Sequence, residues 1–231
     1  MKTRQTILAM FACLALLARH AAATSTGLNN IPTADTPGDG EFVIQEINTI
    51  ATERSDDFTA GFKMGLRPWG QRFEWGLDSH FAPNDAGPPV FQAKYAVQPW
   101  EDWPTLGLGA ANIATNSEDR HQVGGEFKFA VLSHEFKSQD SKWFRLHAGY
   151  GVQPHNNAMF FGVDKTFKMF NRDLMLRSDA IEIEDRSQWL TSFGGIYFLH
   201  KNVALESWVS QPTDHGGPSV TIKLSLIFKF W

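Results

Sequence analysis

From Glu41 to Trp231, hydrophobic and polar positions alternate with a period of two and never settle into helical spacing. The stretch FTAGFKMGLR shows it best. Phe58, Ala60, Phe62, Met64 and Leu66 share one face, while Thr59, Gly61, Lys63, Gly65 and Arg67 share the other. Successive side chains of a strand point to opposite sides, so this is a ribbon greasy on one side only. After a turn signal at Pro68 to Gly70, RFEWGLDSHF repeats the pattern, with Phe73, Trp75, Leu77 and Phe81 opposed to Arg72, Glu74, Gly76, Asp78 and His80. The pair reads as a hairpin.

Further alternating runs follow at 91–97, 105–113, 126–136, 143–152, 159–167, 173–181, 188–199, 203–210 and 219–231, and a less regular one at 41–50. The pattern predicts about twelve antiparallel strands, many near the roughly 9–11 residues that a tilted transmembrane strand needs. Connections alternate in kind. RPWGQ, KMFNR and HKN are tight, whereas APNDAGPP, ATNSEDRHQVG and QPTDHGGP are long and rich in Asn, Asp, Gly and Pro. Under this strand numbering Trp69, Trp100, Trp103, Trp143 and Trp231 all fall at the short-turn end, as a girdle at a membrane interface would. A soluble β-sandwich also has short alternating strands, but its greasy face would be buried. A barrel turns that face to lipid and its charges to a lumen, and it is the architecture expected here: an all-β, up-and-down transmembrane β-barrel.

The amino terminus differs. Lys2 and Arg4, the apolar run Thr6 to Ala18, and Ala21 to Ala23 compose a secretory signal peptide over residues 1–23. Its apolar run is too short for a transmembrane helix. Thr24 to Gly40 (TSTGLNNIPTADTPGDG) offers almost nothing to bury and reads as a flexible leader. The only cysteine, Cys13, lies in the signal, so the exported chain has no thiol for a disulfide, a metal or nucleophilic attack; a lipoprotein-type use of Cys13 is the minor alternative. Removing Lys2, Arg4 and Arg19 from 21 bases leaves 18 against 25 acids, net −7, which speaks against nucleic acid as a partner.

A signal peptide, an exported chain without cysteine, alternating strands and an aromatic-ended last strand together resemble the Gram-negative outer-membrane β-barrel proteins, over residues 41–231. The resemblance implies both termini on the periplasmic side, outer-membrane lipid around the barrel, and a barrel-assembly machinery that reads the final strand. Phe228, Phe230 and Trp231 would carry that signal, with Trp231 one step out of phase with the apolar face.

The polar face places Lys63, Arg67, Arg72, Lys94, Lys128, Arg145, Arg177, Lys223 and Lys229 inward, against Glu74, Asp78, Glu126, Asp164, Asp179 and Glu206. Hairpin register sets Asp78 across from Lys94 and diagonal to Lys63, and Asp164 across from Arg177. Such charges either fill the lumen as ion pairs or line a path. Arg67, Arg72 and Arg145, left without partners, would form a positive stretch selecting anions or acidic sugars. Chemical motifs are weak. HEFKS at His134 lacks the second histidine of a zinc site, and LGLGAAN at Leu106 lacks the third glycine of a nucleotide loop. His80, His134 and His147 are expected inward, but Ser79–His80 and Ser133–His134 point to opposite faces and cannot pair. The acidic stretch Ile181 to Arg186 reads as a solvated loop. The expectation is a narrow porin-like channel for small polar or anionic solutes, with no catalysis, cofactor or metal. A non-conducting structural or polysaccharide-export barrel is the alternative, and an outer-membrane acyl hydrolase a further one.

Overall fold

The computed structural model describes residues 26–51, 57–82, 85–86, 88–114, 125–138, 141–154, 157–183, 188–213 and 216–231. The signal peptide and residues 184–186 of the acidic stretch lie outside them, while Ile181 to Ile183 belong to a strand. Twelve long strands run in chain order: β1 (Glu41–Ala51), β2 (Asp57–Leu66), β3 (Arg72–Ala82), β4 (Val90–Val97), β5 (Thr105–Ala114), β6 (Phe127–Ser138), β7 (Ser141–Val152), β8 (Asn157–Met169), β9 (Arg172–Ile183), β10 (Gln188–His200), β11 (Val203–Pro212) and β12 (Ser219–Lys229). Each pairs antiparallel with its sequence neighbours, and β12 pairs with β1 from Glu41↔Lys229 to Ala51↔Ser219. The sheet is closed. Closure leaves no edge with unpaired backbone groups, which is the condition for strands to cross hydrocarbon.

Polarity is inverted relative to a soluble fold. Leu108, Leu132, Leu146, Tyr150, Phe161, Val163, Leu205, Val209 and Ile222 are exposed on the outer surface. Gln45, Thr59, Lys63, Glu74, Asp78, Gln92, Lys94, Asp164, Arg177 and Glu206 are buried on the inner one. Around the outside of β1 to β4 an aromatic row steps from Phe42 to Phe62 (5.2 Å), Trp75 (5.3 Å) and Phe91 (6.4 Å). Such contacts between neighbouring strands pin register on the lipid-facing side.

The tight turns obey local chemistry. Between Met169 and Arg172, Phe170 and Asn171 take φ of 50° and 60°, a two-residue hairpin turn whose twist matches the strands. Trp69, Trp100, Trp103, Trp143 and Trp231 are all exposed at this end of the barrel.

The amino-terminal segment corrects the sequence reading. Thr26 to Gly40 is not a leader with nothing to bury. It folds back on itself inside the lumen. Leu28 N–H donates to the Ile31 carbonyl (3.0 Å), Thr33 N–H to that of Thr26 (3.3 Å), and Gly27 bridges Pro32. The loop tip, Leu28 to Ile31, lies deep, while both limbs return to the short-turn end.

That loop explains a second correction. On β6, Phe127, Phe129 and Val131 face inward and are buried, while Lys128 faces outward and is exposed. Lys128 instead pairs with Glu126 (3.0 Å) outside the lumen, and His134 shares the outward face. Assigning the polar face to the interior assumes a wet lumen. Here Leu28, Ile31 and Ala34 supply an apolar partner, and together with Phe127, Phe129, Val131 and Phe160 they form a hydrophobic cluster inside the barrel.

Candidate functional site

Three adjacent strands build the wall opposite the loop in horizontal rows. Register aligns Val131 of β6 with Gly149 of β7 and Phe160 of β8; one step on, Ser133 with His147 and Gly162; one step further, Glu135 with Arg145 and Asp164. An apolar row thus lies beside a polar row and then a charged one. Gly149 leaves room for the Phe160 ring. Gly162 is the seat of the loop tip, because a Cβ there would stand 2.8 Å from Ile31 Cδ1 and closer still to Leu28.

Arg145 holds two carboxylates. Its Nε and Nη2 donate to Asp164 (2.9 and 2.7 Å), and its Nη1 donates to both oxygens of Asp35 in the loop (2.9 Å each). Beside it, Ala34 N–H donates to Ser133 Oγ (2.9 Å), Ser133 bonds His147 Nδ1 (2.7 Å), and His147 Nε2 bonds Asp164 (3.0 Å). Asp164 accepts on both oxygens, so a neutral His147 carries its proton on Nε2 and accepts from the serine on Nδ1. Spacing along the chain does not reveal this Ser–His–Asp chain, because inter-strand register brings it together. Its members come from three strands.

The loop is bound all around. Thr26 N–H donates to Glu74 (2.8 Å) and Lys94 Nζ donates to the Thr26 carbonyl (2.6 Å). Arg177 donates to the Gly27 carbonyl (2.9 Å). Asn29 donates to Ser192 (2.8 Å), Asn30 N–H to Asp179 (3.0 Å), and the Asn30 amide to Ser210 (2.9 Å).

The wall charges also have partners of their own. Lys94 pairs with Glu74 (3.4 Å), Arg177 with Glu206, and Lys223 with Glu206 (3.1 Å). Asp78 accepts from the amides of Gln45 and Gln92 (2.9 Å each), not from Lys94. Register sets Glu74, and not Asp78, across from Lys94, because the chain reverses at Ala82↔Asp85, earlier than an Asp78–Lys94 pairing requires. Lys63 is diagonal to Asp78 as expected. Asp164 lies across from Arg177 as expected, but its bonds go to Arg145 and His147.

The expected stretch of unpartnered bases is not present. Arg145 is engaged twice, Arg72 donates to Thr105 (3.2 Å), and Arg67 is exposed beside the Pro68–Gly70 turn, at the rim. Lys229 is likewise exposed at the end of β12.

At the carboxyl end, Phe230 N–H donates to the Gly40 carbonyl (3.0 Å), and Gly40 N–H donates to Gly65 (3.0 Å). Phe230 packs on Phe42 (5.8 Å), Phe228 points outward, and the Trp231 ring covers Gly40. The neck of the loop is therefore stitched into the closing seam.

No known family profile matches the chain, and no curated protein does either. Solved structures do. The KdgM porin superposes with a TM-score of 0.53 at 10% identity, covering 82% of this chain and 99% of that one. The fold is that of the outer-membrane porins. The NanC porin gives 0.52 at 9% identity, covering 80% and 98%. A second KdgM structure, described as a complex with disordered oligogalacturonate, gives 0.53 at 10% identity over 83% and 99%. At such identities the likeness is one of architecture, and none of those proteins' residues is carried across to this chain.

Proposed function

We propose that this protein is a porin-like channel of the Gram-negative outer membrane, passing small polar or anionic solutes. The closed barrel, apolar outside and polar along its inner wall, carries this reading, since a polar bore is what a water-filled path needs, and its likeness in fold to solved porins supports it. The apolar outer surface fits lipid. The exposed tryptophans at one end fit an interfacial girdle, with both chain ends on the periplasmic side. Phe228, Phe230 and Trp231 fit a terminal signal for the assembly machinery.

On the wall, Lys63, Arg72, Lys94, Arg145, Arg177 and Lys223 oppose Glu74, Asp78, Asp164, Asp179 and Glu206. With the loop withdrawn Arg145 keeps Asp164 but loses Asp35, which is the basis for an anion preference at this point of the wall. Conductance in planar bilayers tests the reading, using the full chain and a form in which the loop is weakened. Currents with an anion-side reversal potential support it; membranes that stay sealed in both forms would leave a non-conducting structural barrel.

The Ser133–His147–Asp164 chain favours a hydrolase as the second reading. Its geometry argues otherwise: in serine hydrolases Nε2 faces the serine and Nδ1 the acid, whereas here Nδ1 faces Ser133. Ser133 is also buried under Ala34 and faces the lumen, away from acyl chains. Lipid turnover lost on Ser133→Ala would revive the reading.

A further inference from the structure

The inserted loop behaves as a bound ligand. Its contact with the β6–β8 wall has two chemical parts in fixed order: an apolar body, Leu28 and Ile31, resting on Phe129, Val131 and Phe160 over Gly162, and one carboxylate, Asp35, held by both oxygens on Arg145. Between them Ser133 accepts a hydrogen bond from Ala34 N–H. Resting on the channel reading above, we propose that this wall is a binding site for small carboxylates that carry an apolar body, and that Thr26–Gly40 is a tethered competitor which such a solute displaces to open the path.

Two observations distinguish a displaceable occupant from a structural element. First, the barrel does not depend on it. The sheet closes through β1–β12 pairing, which only the neck at Gly40 joins, and the wall ions that touch the rest of the loop keep wall partners without it: Arg145 keeps Asp164, Arg177 keeps Glu206, Lys94 keeps Glu74, and Asp179 keeps Ser192. What the loop leaves behind is a row of phenylalanine and valine facing water, beside a guanidinium with one free donor nitrogen. That is a reason for a particular class of solute to enter. Second, the two described limbs, at Thr26 beside Glu74 and at Gly40 in the seam, lie on the same side of the loop tip, so withdrawal of this segment needs no threading across the lumen.

The selectivity is a prediction of the rows. A polar acid satisfies Arg145 but leaves the apolar row wet, and a neutral aromatic does the reverse. Phenylacetate offers both groups, gluconate the acid alone, and 2-phenylethanol the ring alone.

Calorimetric titration of these three probes into the folded full chain, and into its Asp35→Asn form, tests the site. Phenylacetate is expected to bind Asp35→Asn about fivefold more tightly than the unaltered chain, since the competitor is weakened, and at least tenfold more tightly than gluconate or 2-phenylethanol. Adding Arg145→Gln to Asp35→Asn abolishes the preference over 2-phenylethanol. If that variant fails the heat-modifiability test of a folded barrel, Arg145→Lys, which keeps the charge but not the fork, serves instead and cuts phenylacetate affinity at least fivefold. Equal phenylacetate affinity with and without Asp35→Asn, or equal binding of gluconate, overturns the site. Bilayer conductance separates the two proposals. The expected binding pattern in membranes that stay sealed under phenylacetate upholds the site and overturns both the channel and its opening, whereas conduction without discrimination among the probes overturns the site and leaves the channel.

Discussion

Asp35 and Arg145 are 110 residues apart in sequence, yet both oxygens of the aspartate lie 2.9 Å from the same guanidinium nitrogen. The pair joins a loop to the wall that surrounds it. Both side chains are partly open to water, so its net worth is modest, about 1 kcal/mol. Asp35→Ala is therefore expected to raise the population of the withdrawn loop about fivefold without loosening the barrel. Single-channel recording reads this as a longer open time, with the heat-modifiability of the folded form unchanged.

A covalent lock gives the complementary result. A Cβ on Gly107 would stand 3.3 Å from that of Ala34, near the reach of a disulfide. The doubly substituted chain, Ala34→Cys with Gly107→Cys, is expected to be non-conducting when oxidised and to recover current on adding reductant. Current that ignores the redox state would show that solutes pass beside the seated loop.

The apolar tip has its own test. Burying Leu28 and Ile31 contributes about 1.5–3 kcal/mol each to keeping the loop seated. Leu28→Asp would place a charge against Phe127 and Phe160, so the tip leaves. Hydrogen exchange is expected to speed up at the Leu28 and Thr33 amides, which donate within the loop, while the β6–β8 ladder stays protected.

Glu206 holds the wall itself. It is buried between Arg177 and Lys223, and Glu206→Gln leaves the buried Arg177 and the half-buried Lys223 short of an anion. A loss of about 3–5 kcal/mol is expected in denaturant unfolding from lipid vesicles. The effect should persist in a chain whose loop has been displaced by Leu28→Asp.

Gly40 fixes the neck. Its φ is +68°, and a Cβ would meet the Trp231 indole at 2.7–2.9 Å. Gly40→Ala is expected to cost about 1–2 kcal/mol from the backbone alone. Trp231→Ala on top of it relieves the contact but not the φ strain, so recovery in the same unfolding assay is partial.

The barrel was legible because period-two alternation, tight and loose connections in turn, and the tryptophans all agree on one architecture. The interior was legible only where charge spoke for it: Glu74, Asp164, Arg177 and Glu206 face inward as their strands' polar faces imply. Phe127, Phe129 and Val131 misled, since greasy residues inside such a barrel make sense only once their partner is known. That partner, with Leu28 and Ile31 scattered among Asn, Thr, Pro and Asp, is too sparse to announce a fold of its own. Its structure is borrowed from the wall. Ser133 and His147 were hidden for a related reason, for their meeting depends on inter-strand register and not on spacing along the chain.

The doubled-back course of Thr26 to Gly40 has a mechanical consequence. One limb is anchored at Gly40 in the seam between Gly65 and Phe230, and the other is held at Thr26 by Glu74 and Lys94 on the same side of the tip. A tug at Thr26 would peel the contacts one after another, like a zip, instead of shearing them together. Small forces applied from a single compartment would then suffice to empty the bore.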